Sequence, residues 1–337
     1  MGKKGVLLVN LGTPDSPKRR DVYKYLKEFL LDGRVIDINP VLRNILVRGI
    51  IAPFRSKESS EAYKELWTEN GSPIKDFGFK LRDGVQQILG DSYKVVLAMR
   101  YQSPSIKEGI KELLNQEIVD EIIVLPLFPQ YASATTGSVY EEVMDCVKGE
   151  FTLPNIKFIN SYPTNEKMID VFVKNAKNMS IEQYKHFLFS FHGLPERQLR
   201  KSDNSKAHCL KVDDCCNVNC ESNKFCYSAQ CHQTAHAIAK KLNLSKDQYT
   251  VCFQSRLGKD PWVQPYTSEV LDQKLEEGYD SILVFSPAFV ADCLETTIEI
   301  GEEYKEEFIE AGGKTLDLVP SLNDDPQWYE AVAELVR

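Results

Sequence analysis

A histidine stands at the end of a predicted strand in the second half of the chain. His192 follows the apolar run 186–191 and is followed at once by the turn residues Gly193 and Pro195. A lone histidine is more often structural, but the carboxyl edge of a parallel sheet is where α/β proteins bind ligands. An imidazole can also accept a proton near neutral pH. We therefore interpret His192 as a candidate base at a ligand site.

Three glutamates follow a later predicted strand at a regular spacing. Glu295, Glu299 and Glu303 fall at positions i, i+4 and i+8 of a helix predicted after the apolar run 281–285. This spacing stacks the three carboxylates along one helix face, where adjacent like charges cost stability. The row is either a solvated acidic face or a path for protons or metal ions, with Glu295 nearest the chemistry.

Loops at four predicted strand ends carry aromatic rings, hydroxyls and an arginine. They are Arg100-Tyr101 and the segments 129–138, 253–266 and 285–303. Together they outline a cleft with aromatic walls and one cation. Such a cleft suits a planar, anionic, hydrophobic ligand.

Six of the nine cysteines lie between Cys209 and Cys231, in a segment that we call the cysteine loop (residues 203–231). Thiols stay reduced in the cytoplasm, so this density indicates a metal or a cluster rather than disulfides. A [2Fe–2S] cluster is favoured because four cysteines are its usual ligands, while a zinc site and unliganded thiols are the alternatives. The favoured ligands, followed by two alternates, are Cys209, Cys216, Cys226 and Cys231, then Cys215 and Cys220.

Two histidines follow the cysteine loop on the next predicted helix. His232 and His236 are spaced i, i+4, so their rings share a helix face and could ligate a metal. A solvated helix face is the preferred interpretation.

The segment 28–55, which we call the lip, is rich in apolar residues with four arginines interspersed. The preferred interpretation is an amphipathic helix that covers the core. The alternative is an apolar surface that receives a flat hydrophobic ligand and touches the membrane in which that ligand dissolves.

The order of apolar runs predicts an α/β fold with parallel sheets. Several runs are apolar on consecutive residues, as in strands buried on both faces, and amphipathic helices over 106–116, 234–242 and 268–277 alternate with them. The predicted strands are 5–11, 94–99, 121–128, 156–160, 186–191, 249–254 and 281–285.

The two halves of the chain resemble each other. Residues 120–128 resemble 280–289, and Leu11-Gly-Thr-Pro resembles His192-Gly-Leu-Pro, in the same order. We interpret this as a duplicated, doubly wound (Rossmann-like) unit with the ligand cleft between the halves. The expected domains are 1–165, 166–315 and a C-terminal segment, 316–337, that packs back on the first half.

Composition restricts the classes of function. The chain has 337 residues, a hydrophobic fraction of 42%, 27% charged residues and a formal net charge of -8. This balance predicts a soluble globular protein and argues against nucleic acid as the partner, since binding phosphates needs a basic face. No apolar stretch is long enough for a membrane span, and residues 5–10 are too few for a signal-peptide core. We therefore expect a cytoplasmic protein, with its oligomeric state left open.

Seven segments together resemble ferrochelatase, and they run in that family's order across nearly the whole chain. The resemblance implies two Rossmann-like halves with a porphyrin cleft, and an enzyme that inserts Fe²⁺ into protoporphyrin IX to form protohaem with release of two protons. The segments are Leu8-Val-Asn-Leu-Gly-Thr-Pro, Asn70-Gly-Ser-Pro-Ile, Arg100-Tyr101, Pro129-Gln-Tyr with Ala-Thr-Thr-Gly-Ser, Ser190-Phe-His-Gly-Leu-Pro, Gln254-Ser-Arg with Asp260-Pro-Trp, and Ala291-Asp-Cys-Leu-Glu-Thr.

The resemblance also implies roles for individual residues. His192 and Glu295 match the family's paired metal-handling residues, while Cys293 stands where many relatives have histidine and is not a required ligand. Arg100 is expected to meet a propionate, and Leu11 to face the porphyrin plane. The remaining residues expected to line the cleft are Tyr101, Tyr131, Trp262 and Phe289.

Some ferrochelatases are similar in carrying a [2Fe–2S] cluster, which favours a cluster here. Many of those use a cysteine in the Pro-Gln-Tyr loop, where this chain has Ser133, together with a C-terminal extension. We therefore expect any cluster to be held by the cysteine loop alone.

Several alternative functions remain open at this point. The substrate could be the four-carboxylate coproporphyrin, although the segment Ala291-Asp-Cys-Leu-Glu-Thr favours protoporphyrin. A cobalt or nickel chelatase of the same fold is a second alternative. A haem or Fe–S sensor on this scaffold is a third, and the presence of both His192 and Glu295 disfavours it because a sensor needs no acidic path.

Overall fold

The computed structural model describes residues 3–115, 119–218, 220–256, 258 and 260–337. The chain is divided into two compact units. The first unit comprises residues 1–128, 133–160 and 323–337, and the second comprises residues 129–132 and 161–322.

Each unit contains one sheet of four parallel strands. The predicted α/β fold is therefore confirmed, and each of the seven predicted strands overlaps an observed one. The strands are β1 (Lys3–Gly12), β2 (Tyr93–Tyr101), β3 (Val119–Pro126), β4 (Asn155–Phe158), β5 (His186–His192), β6 (Tyr249–Gln254), β7 (Ser281–Phe285) and β8 (Thr315–Leu318).

Helices connect the strands. The predicted helices at 234–242 and 268–277 are confirmed. The helix predicted at 106–116 is observed from Ile106 to Leu114, and residue 116 lies outside the described part. The α-helices are α1 (Arg19–Leu31), α2 (Pro40–Leu46), α3 (Ala52–Leu66), α4 (Pro73–Leu89), α5 (Ile106–Leu114), α6 (Ser138–Val147), α7 (Glu166–Lys177), α8 (Glu196–Ser202), α9 (Tyr227–Lys241), α10 (Thr267–Glu276), α11 (Lys305–Glu310) and α12 (Pro326–Leu335).

The chain also forms shorter helical segments of other types. π-Helical segments are expected to be rare, and they are frequent at functional sites. The π-helical segments are Val47–Ile51, Ser133–Gly137 and Leu294–Tyr304, and the 3₁₀ turns are Gly90–Ser92, Ile181–Gln183 and Glu221–Asn223.

The two sheets have the same strand order. The first is β2-β1-β3-β4 and the second is β6-β5-β7-β8, so β1 and β5 hold equivalent places. Val9 pairs with Ala98 on one side and Pro126 on the other, and all of Val6 to Val9 is inaccessible to solvent. Central strands buried on both faces explain why the runs are apolar without alternation. This matching topology agrees with the predicted duplication.

The lip does not cover the core as the preferred interpretation expected. None of the residues of α2 is buried, and Val41, Ile45 and Phe54 are 66%, 63% and 75% exposed. Only a few residues of the segment, such as Val47 and Ala52, pack inward. Within the described ranges, no helix combines the length and apolar character needed to cross a membrane.

Candidate active site

The loops after β5 and β6 meet at the carboxyl edge of the second sheet. The amide of Gly193 donates to the carbonyl of Gln254 at 2.7 Å, and Pro195 forms a β-bridge with Trp262. A Cβ atom on Gly193 would lie 2.9 Å from the Gln254 carbonyl oxygen and 3.2 Å from the Trp262 ring. Glycine is needed at this position because the two loops approach so closely.

His192 is the last residue of β5 and is half-buried. Its Nδ1 lies 2.7 Å from the carbonyl oxygen of Gly193. Because a carbonyl can only accept, Nδ1 carries the proton of the neutral ring and Nε2 carries the lone pair. The Tyr227 hydroxyl donates to the backbone carbonyl of His192 at 2.9 Å, which holds this strand end in place.

The acidic row lies on a π-helical segment, Leu294–Tyr304, which continues as α11. The sequence predicted a helix here but gave no sign of its π-helical form. Glu295 and Glu299 are half-buried, whereas Glu303 is exposed. The three carboxylates therefore pass from a sheltered position to the surface along the segment.

Glu299 joins the predicted residues into one site. Burial raises the pKa of its carboxyl, the Ser255 hydroxyl lowers it, and the charges of His192 and Glu295 both act on it. Because charge effects of this kind act over short distances, His192, Glu295 and Glu299 form one electrostatic group. His192 and Glu295, two of the residues that the sequence singled out, thus interact with Glu299, whereas Glu303 is not among these partners.

Gln254 and Ser255 hydrogen-bond to this group, and neither was predicted as a site residue. Ser255 Oγ donates to Glu299 with both carboxylate oxygens at 2.8 Å. Gln254 Nε2 donates to the Glu295 carbonyl at 2.8 Å and to Glu299 Oε2 at 3.2 Å. Ser255 has a φ of 62°, an uncommon conformation for a residue other than glycine that is often linked to function. Their position at the end of β6, with Gln254 as its last residue and Ser255 directly after it, was the signal that could have identified them.

Three predicted aromatic residues lie in the second unit. Trp262 contacts the loop of His192 as described, and Phe289 is half-buried after β7. The amide of Tyr131 donates to Gln230 Oε1 at 2.7 Å, and its ring packs edge-on against Phe225 with centroids 5.9 Å apart. All three rings are partly accessible.

In the first unit, Leu11 lies near the carboxyl end of β1 and is half-buried. Gly12 follows with a φ of 114°, and a Cβ atom there would lie 2.1 Å from the Tyr101 carbonyl oxygen. The Thr13 hydroxyl donates to Ser72 Oγ at 2.9 Å. These contacts join the Leu-Gly-Thr-Pro and Asn-Gly-Ser-Pro segments around Leu11.

Arg100 and Tyr101 take part in a buried polar network. Arg100 donates to Asp32 Oδ2 at 2.9 Å, and the Tyr101 hydroxyl donates to the same oxygen at 2.9 Å. Tyr101 is 1% exposed, so little of its ring is accessible to a ligand. Lys24 and Lys27 line, together with Arg100, an open pocket of about 550 Å³.

The cysteine loop gathers several of its thiols. The side chains of Cys209 and Cys226 are hydrogen-bonded to each other, which raises the pKa of Cys209 and lowers that of Cys226. Burial raises the pKa of Cys216 to about 12, and its sulfur lies 3.9 Å from that of Cys215.

The remaining two thiols of the loop, those of Cys220 and Cys231, have different surroundings. Cys220 lies 3.6 Å from His208 Nε2, whereas Cys231 is fully buried on α9, within electrostatic reach of Cys226. No three His, Cys, Asp or Glu side chains in the described ranges are arranged to hold a single metal ion.

The histidine pair on α9 is not on a solvated face, contrary to the preferred interpretation. Both rings are half-buried, with centroids 5.9 Å apart. Burial lowers the pKa of His232 to about 4 and also lowers that of His236. The two imidazoles are therefore neutral near pH 7, on a partly buried face of α9.

The chain matches a known protein family and curated proteins of that family. A family model described as Ferrochelatase matches residues 3–337. A ferrochelatase of Legionella pneumophila (strain Lens) is 42% identical over 339 residues, covering 99% of this chain and 99% of its own. A ferrochelatase of Coxiella burnetii (strain Dugway 5J108-111) is 42% identical over 336 residues, covering 99% of this chain and 93% of its own.

Solved structures also resemble the chain. SirB from Bacillus subtilis with Fe³⁺ matches with a TM-score of 0.55 and 12% identity, covering 99% of this chain and 94% of that chain. At this identity the likeness establishes a shared fold alone.

Proposed function

The chain belongs to the ferrochelatase family, which inserts Fe²⁺ into a porphyrin to form haem, and we propose that His192 and Glu295 carry out this insertion with protoporphyrin IX as the substrate. The observation that supports their roles is the electrostatic group that they form with Glu299 at the carboxyl edge of the second sheet. Ligands of open α/β sheets bind at this edge.

His192 is proposed as the base that removes the pyrrole protons. Insertion replaces two N–H protons of the macrocycle by one Fe²⁺, so a base and an exit for two protons are required. The Gly193 carbonyl fixes the tautomer in which Nε2 is the acceptor. A base with a fixed orientation loses little freedom when the substrate binds.

Glu295, Glu299 and Glu303 are proposed to conduct protons outward or Fe²⁺ inward. The change from half-buried to exposed along the row supports a route that connects the site with solvent. Burial raises the pKa of Glu299, which brings its proton exchange closer to neutral pH.

The proposed porphyrin contacts are apolar, aromatic and cationic. Bending the macrocycle exposes nitrogen lone pairs, and side chains against its faces can supply the binding energy for this distortion. Arg100, which pairs with Asp32 and Glu142, is proposed to meet a propionate at the open pocket that it lines. The side chains proposed to contact the porphyrin are Leu11 and Arg100 of the first unit, and Tyr131, Trp262 and Phe289 of the second; Tyr101 is left out because its side chain is buried.

The substrate is tested by comparing two porphyrins. Purified protein is mixed anaerobically with Fe²⁺ and either protoporphyrin IX or coproporphyrin, and the porphyrin absorption bands are followed. Faster insertion into protoporphyrin supports the proposal. Faster insertion into coproporphyrin would replace the substrate, and binding without insertion would favour the sensor.

We propose that the cysteine loop holds a [2Fe–2S] cluster through Cys209, Cys216 and Cys226, with Cys231 as the fourth ligand and Cys215 as its alternate. The donor set is suitable because thiolates are the usual ligands of such a cluster, Cys209 is hydrogen-bonded to Cys226, and the charges of Cys216 and Cys226 act on Cys231. The thiolates of a two-iron cluster bind two different ions, whereas zinc needs four ligands around one point. A two-iron cluster therefore requires less convergence of the four thiols on one point than zinc does.

When bound, such a cluster supplies one-electron redox chemistry and links distant points of the loop. Iron and acid-labile sulfide analysis of protein purified without air, with its visible spectrum, tests the proposal. Zinc without sulfide would assign the loop to the alternative metal.

We also propose that the lip contacts a membrane surface from which the hydrophobic porphyrin is taken up. Exposed apolar side chains such as Ile45 and Phe54 stand beside arginines, a combination that favours anionic bilayers. Phe54→Ser is expected to reduce sedimentation with phosphatidylglycerol vesicles, whereas Phe151→Ser, at a fully exposed site outside the lip, should not. Equal sedimentation of both variants and wild type would contradict this role.

A further inference from the structure

The cysteine loop has little that could fix its shape through packing. Between α8 and α9 its regular structure is confined, among the described residues, to the 3₁₀ turn Glu221–Asn223. Its larger apolar side chains point outward: Leu210, Val212, Val218 and Phe225 are 40%, 45%, 51% and 42% exposed. A segment without a hydrophobic core must be ordered by other contacts, because ordering each residue costs conformational entropy.

Asp203 provides such contacts at the start of the loop. Its side chain is buried, with 4% exposure. One carboxylate oxygen accepts from the amide of Ser205 at 2.9 Å and from its hydroxyl at 2.6 Å. The other accepts from the amides of His208 and Cys209, both at 2.9 Å. Four donors thus converge on one carboxylate and fix the backbone that carries Cys209.

Asn223 provides the equivalent contacts in the second part of the loop. It is 2% exposed, and its Nδ2 donates to the carbonyls of Cys215 at 2.9 Å and Val218 at 2.6 Å. Its Oδ1 accepts from the amide of Cys220 at 3.1 Å. Its own carbonyl accepts from the amide of Cys226 at 2.9 Å. The buried side-chain amide therefore links the backbone of Cys215 and Val218 to that of Cys220, and the main chain of Asn223 continues this link to Cys226.

The two side chains act on the thiols that lie together. The Asp203 side chain fixes the backbone of Cys209, and the Asn223 side chain fixes the backbone of Cys215 and Cys220. Groups that orient a metal ligand without touching the metal tune affinity strongly. We infer that Asp203 and Asn223 are positioning residues that fold the cysteine loop into the form that receives the cluster, an inference that rests on the proposed cluster.

The substitutions can be chosen to break specific contacts. Asp203→Ala removes the acceptor of three backbone amides, those of Ser205, His208 and Cys209, and leaves them without this partner. Asn223→Asp keeps the size of the side chain but places carboxylate oxygen against the carbonyls of Cys215 and Val218, which repel it. Asp203→Asn keeps one acceptor oxygen and should give an intermediate effect. Asn217→Ala is the matched control, since Asn217 is an exposed residue of the same loop.

The first measurement is the iron and acid-labile sulfide content of each protein, purified without air, with its visible circular dichroism. We expect Asp203→Ala and Asn223→Asp to retain less than about a tenth of the wild-type content, and Asn217→Ala to match wild type. Porphyrin binding, followed by absorption, shows whether the rest of each variant is folded. Full cluster content in both variants would overturn the inference while leaving the proposed cluster intact.

The second measurement does not depend on the cluster. Limited proteolysis of chelator-treated full-length protein, read by mass spectrometry, reports the order of the loop itself. We expect cleavage within residues 203–226 to be about tenfold faster in Asp203→Ala than in wild type or Asn217→Ala. If wild type contains no iron and sulfide, the proposed cluster fails, and this rate alone decides whether the two residues order the loop. Equal cleavage rates would overturn the inference.

Discussion

Replacing Ser255 with glycine tests the hydroxyl that holds Glu299. The Ser255 hydroxyl donates to Glu299, and its oxygen lies 2.8 Å from both carboxylate oxygens. This bond opposes the rise in the pKa of Glu299 that burial causes. A hydrogen bond to a charged group contributes about 1.5–3 kcal/mol, and about 1.4 kcal/mol corresponds to one pH unit. Loss of the hydroxyl therefore raises the pKa of Glu299 further, because an interaction that favours the charged form is removed.

The sign of the effect on activity follows from this direction. If the ionised form of Glu299 conducts protons or Fe²⁺, a higher pKa keeps Glu299 protonated up to a higher pH. Metal insertion is then slow up to that higher pH. The acidic limb of kcat should therefore move to higher pH in Ser255→Gly, and kcat at a fixed pH on that limb should fall by about tenfold or more. The assay is anaerobic metal insertion measured from pH 5 to pH 9 at saturating porphyrin.

Alanine at the same position is the matched control for backbone effects. Because φ at Ser255 is 62°, glycine is tolerated there but alanine is strained, so Ser255→Ala should be less stable than Ser255→Gly by about 1 kcal/mol. Both variants lack the hydroxyl, so both should show the same displaced limb despite their different stabilities. A limb that coincides with that of wild type in both variants would refute the role given to Glu299.

Two further predictions concern the first unit. Gly12→Ala should lower the free energy of unfolding by about 2 kcal/mol or more in urea titration, because the new Cβ would lie 2.1 Å from the Tyr101 carbonyl oxygen; unchanged stability would contradict the close approach. Asp32→Asn should destabilise the protein by about 3 kcal/mol at pH 7, since it leaves Arg100 without its buried partner. Although burial raises it, hydrogen bonds from Ser138 and the Arg34 backbone and the charge of Arg100 keep the pKa of Asp32 below its ordinary value. The contribution of Asp32 is therefore lost as the pH falls through that lowered pKa, and the difference between wild type and variant should shrink in acid; a difference that grows would contradict this sign.

Much of the fold followed from local patterns. Central strands such as β1 and β5 are buried on both faces, so their sequences are apolar without interruption and easy to identify. β8 was missed because it has four residues, with polar Asp317 among them, which gives no distinct run. The preferred interpretation of the lip, a helix that covers the core, was wrong. An apolar helical pattern predicts an apolar face but does not identify the surface that this face contacts.

The candidate site was predictable in its residue types but not in its contacts. His192 and Glu295 could be identified because each follows a strand, and strand ends of a parallel sheet meet at one edge. The pairing of Arg100 with Asp32 joins residues far apart in sequence and leaves no local signal. The same applies to Asp203 and Asn223, whose ordinary residue types are common in any polar loop.

The most direct test of the central claim is the turnover of His192→Ala and Glu295→Gln, measured together with porphyrin affinity. Glu302→Gln, an exposed glutamate on the same π-helical segment, is the control. We predict that both active-site variants bind protoporphyrin nearly as wild type does but insert Fe²⁺ at least about a hundredfold more slowly, while the control is unaffected. Turnover close to wild type in both variants would contradict the assignment of the base and its partner carboxylate.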